Sequence, residues 1–397
     1  MIESSHQHRW QQRGVTSVFA VIFAATILSI IVVSFAAIMM REQGRSTDDE
    51  LSQSAYDSAM AGVEDAKRVI GLSLTRSNVA ETITNNSSNC SVVAMAATAG
   101  GINVGSVGQE TIVQSTSGAS GTGSELLQAY TCVKINLDSP DVVLHDVRQF
   151  ESRIVPLRGA ATFDRVRVEW HMTNGTNISA PCGAGLGSLS TNLCLQSSWR
   201  DTDISRPGIL RAQVVSPGSS YSLSDLDRSD AGNTLFLYPT VFTSSSTPSF
   251  NLSSMARYVA GNGESSGSAH RVERVQCSQG SIAGYHCAAD IVLPSSVPAG
   301  SNNAILRVGT LYKTTPTSIR VTLRNGSNQV NFSRVQPTVD STGRANDLFR
   351  RVEARISLSS DVQYPEFAVD LSGPFCKDFH VRPDGVGQIG GAATCNP

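Results

Sequence analysis

The residues that could do chemistry in this chain are few and lie far apart. His145, His171, His270, His286 and His380 are scattered, with no HExxH pattern and no metal-ligand spacing. One GxSxG occurs, at Gly263-Glu264-Ser265-Ser266-Gly267. A nucleophile elbow needs a buried strand before its serine and a helix after it. Here the flanks, Ala260-Gly261-Asn262 and Ser268-Ala269-His270, belong to a Ser/Gly-rich interval that supplies neither. Gly183-Ala184-Gly185-Leu186-Gly187 lacks the following helix pattern of a phosphate cradle and reads as a loop between Cys182 and Cys194. Asp225, Asp227 and Asp230 beside Gly232 make a calcium candidate. Without the glycine and terminal glutamate of an EF-hand, they read rather as a solvated acidic turn. The sequence therefore assigns no catalytic residue, no metal and no cofactor, and it reads as a non-enzyme.

Cysteine is the one reactive type with a pattern. Cys90, Cys132, Cys182, Cys194, Cys277, Cys287, Cys376 and Cys395 are even in number and all follow a long apolar segment. In an oxidising compartment such a set forms disulfides, and no tight CxxC pair offers a zinc alternative. Eight cysteines allow about 105 connectivities, so pairing of sequence neighbours is only a default. Charged residues are 16% of the 397, with a net charge of −2. That balance lacks the basic field of a nucleic-acid binder, and no nucleic acid is expected as a partner.

The elements that position these cysteines start at the N-terminus. From Val15 to Met40 run 26 residues without a charge. As a helix they span ~39 Å, beyond the ~30 Å of a hydrocarbon core and longer than the apolar part of a cleaved signal. Val15, Phe19, Ala24, Ile30, Phe35 and Met40 mark this membrane helix. Arg9 and Arg13 before it are balanced by Arg41 and Arg45 after it, so charge alone does not orient it. The cysteines do: the large C-terminal part must lie outside, with the N-terminus in the cytoplasm. Leu51, Ala55, Ala59, Val63, Ala66 and Ile70 then continue at spacings of three and four. One helix of roughly 58 residues, about 85 Å if unbroken, is expected, with Glu64 and Arg68 paired on its other side and Gly44 and Gly62 as points of bending.

The junction His8-Arg9-Trp10-Gln11-Gln12-Arg13-Gly14 before an uncharged run resembles a prepilin leader. Ala55-Tyr56-Asp57-Ser58-Ala59-Met60-Ala61-Gly62-Val63-Glu64-Asp65-Ala66 resembles the alanine-rich outer helix of PilX-type minor pilins. Together the resemblance covers about residues 9–70. It implies a type IV pilin-like protein cut by a membrane peptidase between Gly14 and Val15. Major pilins carry Glu at the fifth mature position, where this chain has Phe19. That departure suits a minor or tip-located subunit. Ala20, Ala24, Ala25, Ser29 and Ser34 would allow helices of neighbouring subunits to approach closely, though they are equally ordinary membrane-helix composition.

Beyond the helix, residues 73–125 are rich in Ser, Thr, Asn and Gly and read as a variable loop region, tied down if Cys90 reaches Cys132. Alternating strands follow: Val133, Ile135 and Leu137; Val166, Val168, Trp170 and Met172, with Asn174-Gly175 as a turn; Ile319, Val321 and Leu323 before Asn325-Gly326, Val330 and Phe332; and Val352, Ala354, Ile356 and Leu358. The expected fold is α+β, a long N-terminal helix packed on a large antiparallel β-rich ectodomain. The expected parts are a leader (1–14), the helix (15–72), the loop region (73–125), a first β-rich lobe (126–242), a Ser/Gly-rich linker or loop (243–270) and a second β-rich lobe (271–397); one lobe with a long loop is the equal alternative. The function implied is a minor pilin-like subunit of a type IV pilus or related surface filament, serving assembly or adhesion. Its partners would be the membrane, other pilin-like subunits, the assembly machinery and a surface or cell receptor. It would sit in the inner or cytoplasmic membrane with an extracytoplasmic ectodomain, and at the cell surface once assembled. The alternative is a membrane-tethered extracellular binding module outside any filament.

Overall fold

In a computed structural model of the chain, residues 12–114, 128–149, 151–172, 207–215, 233–241, 247–252, 273–282, 285–311, 315–358 and 364–365 are described. Cys182, Cys194, Cys376, Cys395, Asp225, Asp227, Asp230, the GxSxG, the Gly183–Gly187 stretch, Asn174-Gly175, His270 and His380 lie outside them. Contacts divide the chain into two compact units. The first takes residues 1–82, 88–134 and 340–353; the second takes 83–87, 135–339 and 354–397.

The first unit is built on α1 (Gln12–Ser73), a helix of 62 residues without a proline. Its expected stripe is present: Ala55, Ala59, Val63, Ala66 and Ile70 are all buried. Leu51, where the stripe begins, is half-buried. On the opposite side the ion pairs differ from expectation, because Glu64 binds Lys67 at 2.6 Å and Arg68 binds Asp65 at 3.2 Å. Each acid meets a base one turn away at i,i+3, which leaves none for an i,i+4 pair.

The described part of the expected loop region 73–125, residues 73–114, is not a loop. It contains α2 (Ser77–Asn85), α3 (Val92–Ala99) and strand β1 (Thr111–Gln114). Val79 and Ala80, then Val92, Val93, Ala96 and Ala97, are buried at helical spacing. The polar residues between them occupy the outer faces, so composition misrepresented the segment. β1 edges a four-stranded sheet of order β1-β2-β14-β15, with β2 Gln128–Ser139, β14 Phe332–Ala345 and β15 Leu348–Arg355.

The second unit carries a twelve-stranded sheet among the described residues. Its strands are β3 (Val142–Val147), β4 (Glu151–Pro156), β5 (Phe163–Met172), β6 (Ile209–Val215), β7 (Thr234–Val241), β8 (Ser249–Asn251), β9 (Glu273–Ile282), β10 (Tyr285–Val297), β11 (Ile305–Leu311), β12 (Thr317–Asn325), β13 (Asn328–Val330) and β16 (Tyr364–Pro365). The order β13-β12-β5-β10-β9-β7-β6-β11-β4-β16 interleaves early and late strands. Among the described residues, strands of the two expected lobes, 126–242 and 271–397, join in one sheet instead of two successive ones: β5 pairs with both β10 and β12, and β6 pairs with β11. Val166, Val168 and Trp170 share one buried core with Ile319, Val321, Leu210, Leu237 and Leu306. Trp170 Nε1 donates to the Gly208 carbonyl at 3.3 Å, although β5 and β6 are four places apart in the sheet. The sheet must curl to bring them together. The hairpin at Asn325-Gly326 forms as expected, with Asn325 opposite Asn328 and Gly326 at φ 60°.

Candidate functional site

The feature with the clearest physical demand is the first part of α1. Phe19 is 68% exposed, Ile30 65%, Phe35 60% and Met40 67%, and Ala24 is exposed beside them. Gly14 and Val15 lie within the helical backbone. A run of this kind exposes far more contiguous apolar surface than a soluble monomer carries. Its best window reaches a mean hydropathy of 2.8 with nothing buried, and it is long and apolar enough to cross a membrane. Its hydroxyls are satisfied internally: Thr26 Oγ1 donates to Phe23 O and Ser29 Oγ to Thr26 O, both at 2.8 Å. That internal bonding lets a hydroxyl sit in hydrocarbon without a stranded donor.

From Ala55 onward the same helix seats on its sheet at glycines. A β-carbon at Gly62 would fall 2.9 Å from Val133 Cγ2 and 3.1 Å from Tyr130 Cγ. Tyr130 donates its hydroxyl to Asp65 Oδ2 at 2.9 Å, and burial, above all, pushes that hydroxyl well above the ordinary tyrosine range. Arg350 Nε donates to Ser52 Oγ at 2.8 Å near the stripe's start. Cys90 and Cys132 form a disulfide that ties the segment before α3 to β2, where Val133 N also donates to Cys90 O at 3.0 Å. In the second unit Cys277 and Cys287 stand opposite each other on β9 and β10 and are bonded. These bonds place the ectodomain in an oxidising compartment, and the apolar helix fits membrane anchoring.

The histidines are less scattered than their spacing implies. His171 and His286 lie with ring centroids 6.3 Å apart, and Tyr285 meets His171 edge-on at 4.8 Å. Burial, then the neighbouring His286 and His145, holds His171 below the ordinary imidazole value, and burial alone lowers His286. Nearby, the Arg320 guanidinium lies 4.4 Å over the Tyr285 ring and its Nε binds Glu169 at 2.7 Å. Arg167 binds Asp290 through two bonds of 2.6 and 2.9 Å. The charged face of β5 thus holds a buried glutamate, Glu169, bound by the cross-strand Arg320. No group of three metal-capable side chains occurs among the described residues. No protein-family model, curated protein or solved structure matches this chain.

Proposed function

We propose that the chain is a minor pilin-like structural subunit, held in the membrane before assembly and contributing to a surface filament's assembly or adhesion. The observation that carries this reading is the division of one continuous helix. Val18–Met40 buries nothing within the chain, whereas Ala55–Ile70 is sealed against the four-stranded sheet. An anchor alone needs only the first part. The continuation turns the apolar segment into a rod rigidly joined to a folded head, which suits helices that leave the bilayer and pack against those of neighbouring subunits. Ala20, Ala24, Ala25, Ser29 and Ser34 supply small side chains for that approach.

Intact-mass and N-terminal analysis of the membrane-extracted protein, made with and without a prepilin peptidase, tests the proposal. A mature terminus at Val15 that depends on the peptidase is the expected result. An uncleaved Gly14–Val15 bond in the presence of active peptidase would reduce the chain to a tethered ectodomain whose ligand must be sought directly.

A further inference from the structure

On the outer face of β12, β5 and β10, charged residues meet in rows. Arg320 stands opposite Glu169, and Arg167 opposite Asp290; each pair is hydrogen-bonded. The last row breaks this matching. Arg324 stands directly opposite Arg165, and the residue on the far side of Arg165 is Val292. Directly opposed strand residues hold their β-carbons about 5 Å apart, a separation at which like charges repel. Both Nε–H groups are buried and donate to no hydrogen-bond partner among the described residues. Asp164 makes a long ion pair with Arg165, 3.7 Å from its Nε, through an oxygen that also accepts from the Gly326 amide at 2.9 Å.

We propose that Arg165 and Arg324 form a binding site for a tetrahedral oxyanion, the phosphate or sulfate group of a free ion or of an anionic sugar. Two guanidinium forks at directly opposed positions of neighbouring strands supply planar sets of N–H donors of the kind that grip such a group bidentately. A bound dianion would satisfy both Nε groups and turn a repelling row into an attractive one. The neighbouring rows are neutralised by their own pairs, whereas this row holds two arginines against the single carboxylate of Asp164 and keeps a positive charge in excess.

The test is isothermal titration of the full chain in detergent micelles with sodium sulfate, inorganic phosphate, galactose 6-sulfate and glucose 6-phosphate, at ionic strength fixed with chloride. Saturable binding to one site per chain is expected, weakened roughly tenfold or more in Arg324→Gln and in Arg165→Gln. Arg324→Lys, which keeps the charge and loses the fork, should fall between, and Arg351→Gln should bind as the parent does. Tighter binding of the sugar esters than of the free ions would identify an anionic glycan as the ligand; equal binding would identify the free ion. Because each glutamine relieves a like-charge contact, the variants should unfold in chloride at no lower temperature than the parent. Absence of saturable binding to the parent chain overturns the proposal whatever the variants do, as does binding that survives both glutamine substitutions.

Discussion

Gly343 of β14 faces the backbone of α1 at Ala59, so closely that a β-carbon on it would lie 2.9 Å from Ala59 Cα. Ala59 N and Ala55 O would be nearer still. Nothing there can swing away, because all three atoms are main chain. A methyl group in a strand normally gains a few tenths of a kcal/mol over glycine, but overpacking against backbone costs about 1–3 kcal/mol, so the clash decides the sign. Gly343→Ala should destabilise the first unit by about 2 kcal/mol, read as a lowered urea midpoint in micelles. Gly62→Ala should cost less than about 1 kcal/mol, since it gains about 1 kcal/mol of helix propensity and meets side chains rather than backbone. Equal costs at the two glycines would mean that the helix can shift on its sheet.

Tyr130 and Asp65 make the polar counterpart of that seat, across 2.9 Å. Asp65 keeps Arg68 as a second partner, so losing the phenol hydroxyl does not strand the carboxylate. Tyr130→Phe should therefore cost about 1.5 kcal/mol, the low end of the range for one hydrogen bond to a charged acceptor. A double-mutant cycle with Asp65→Asn should return most of that as coupling energy. A coupling near zero would show that the bond is not maintained in solution.

How much of this was legible depended on periodicity. Ala55, Ala59, Val63, Ala66 and Ile70 repeat with the helix turn, and Val166, Val168, Trp170 and Met172 repeat with the strand, so each pattern named both the element and its buried face. α2 and α3 carry the same signal in Val79 and Ile83, and in Val92 and Ala96, but short runs among Ser, Thr and Asn hid it. Strand order was not legible at all. Whether β5 pairs with β10 and β12 depends on partners more than a hundred residues away, and the rows formed by His171 and His286, by Glu169 and Arg320, and by Arg165 and Arg324 exist only once that order is set.

The His171–His286 pair makes stability fall in mild acid. An imidazole held below its ordinary value binds a proton more weakly folded than unfolded, so the unfolded chain is favoured as pH drops below about 6.5. His145, Tyr285 and the Arg320 guanidinium over its ring crowd the same face, and Arg320 adds positive charge there. Asp340, held low chiefly by its hydrogen bond from Arg351, acts in a separate window, losing its contribution only near pH 4 and below. The urea midpoint of the second unit should thus be lower at pH 5.5 than at 7.5, and His171→Gln should flatten that slope. An unchanged slope in the variant would place the pH dependence elsewhere.

The two disulfides among the described residues should respond differently to reduction. Cys90 is exposed, while Cys277 and Cys287 are fully buried in the core of the second unit. The chain-entropy rule gives about 4 kcal/mol for the separation of 42 residues at Cys90–Cys132 and about 3 kcal/mol for the separation of 10 at Cys277–Cys287. Access nevertheless sets the order under native conditions, since thiol exchange requires the attacking thiolate to reach a sulfur. Dithiothreitol followed by alkylation and mass spectrometry should label Cys90 and Cys132 before Cys277 and Cys287, which stay protected until the unit unfolds. Serine pairs should reverse the ranking by entropy: the Cys277→Ser, Cys287→Ser variant places two hydroxyls in an apolar core at about 1–3 kcal/mol each, more than the ~1 kcal/mol entropy gap. Early labelling of Cys277 would show that the core around β9 and β10 opens well below global unfolding.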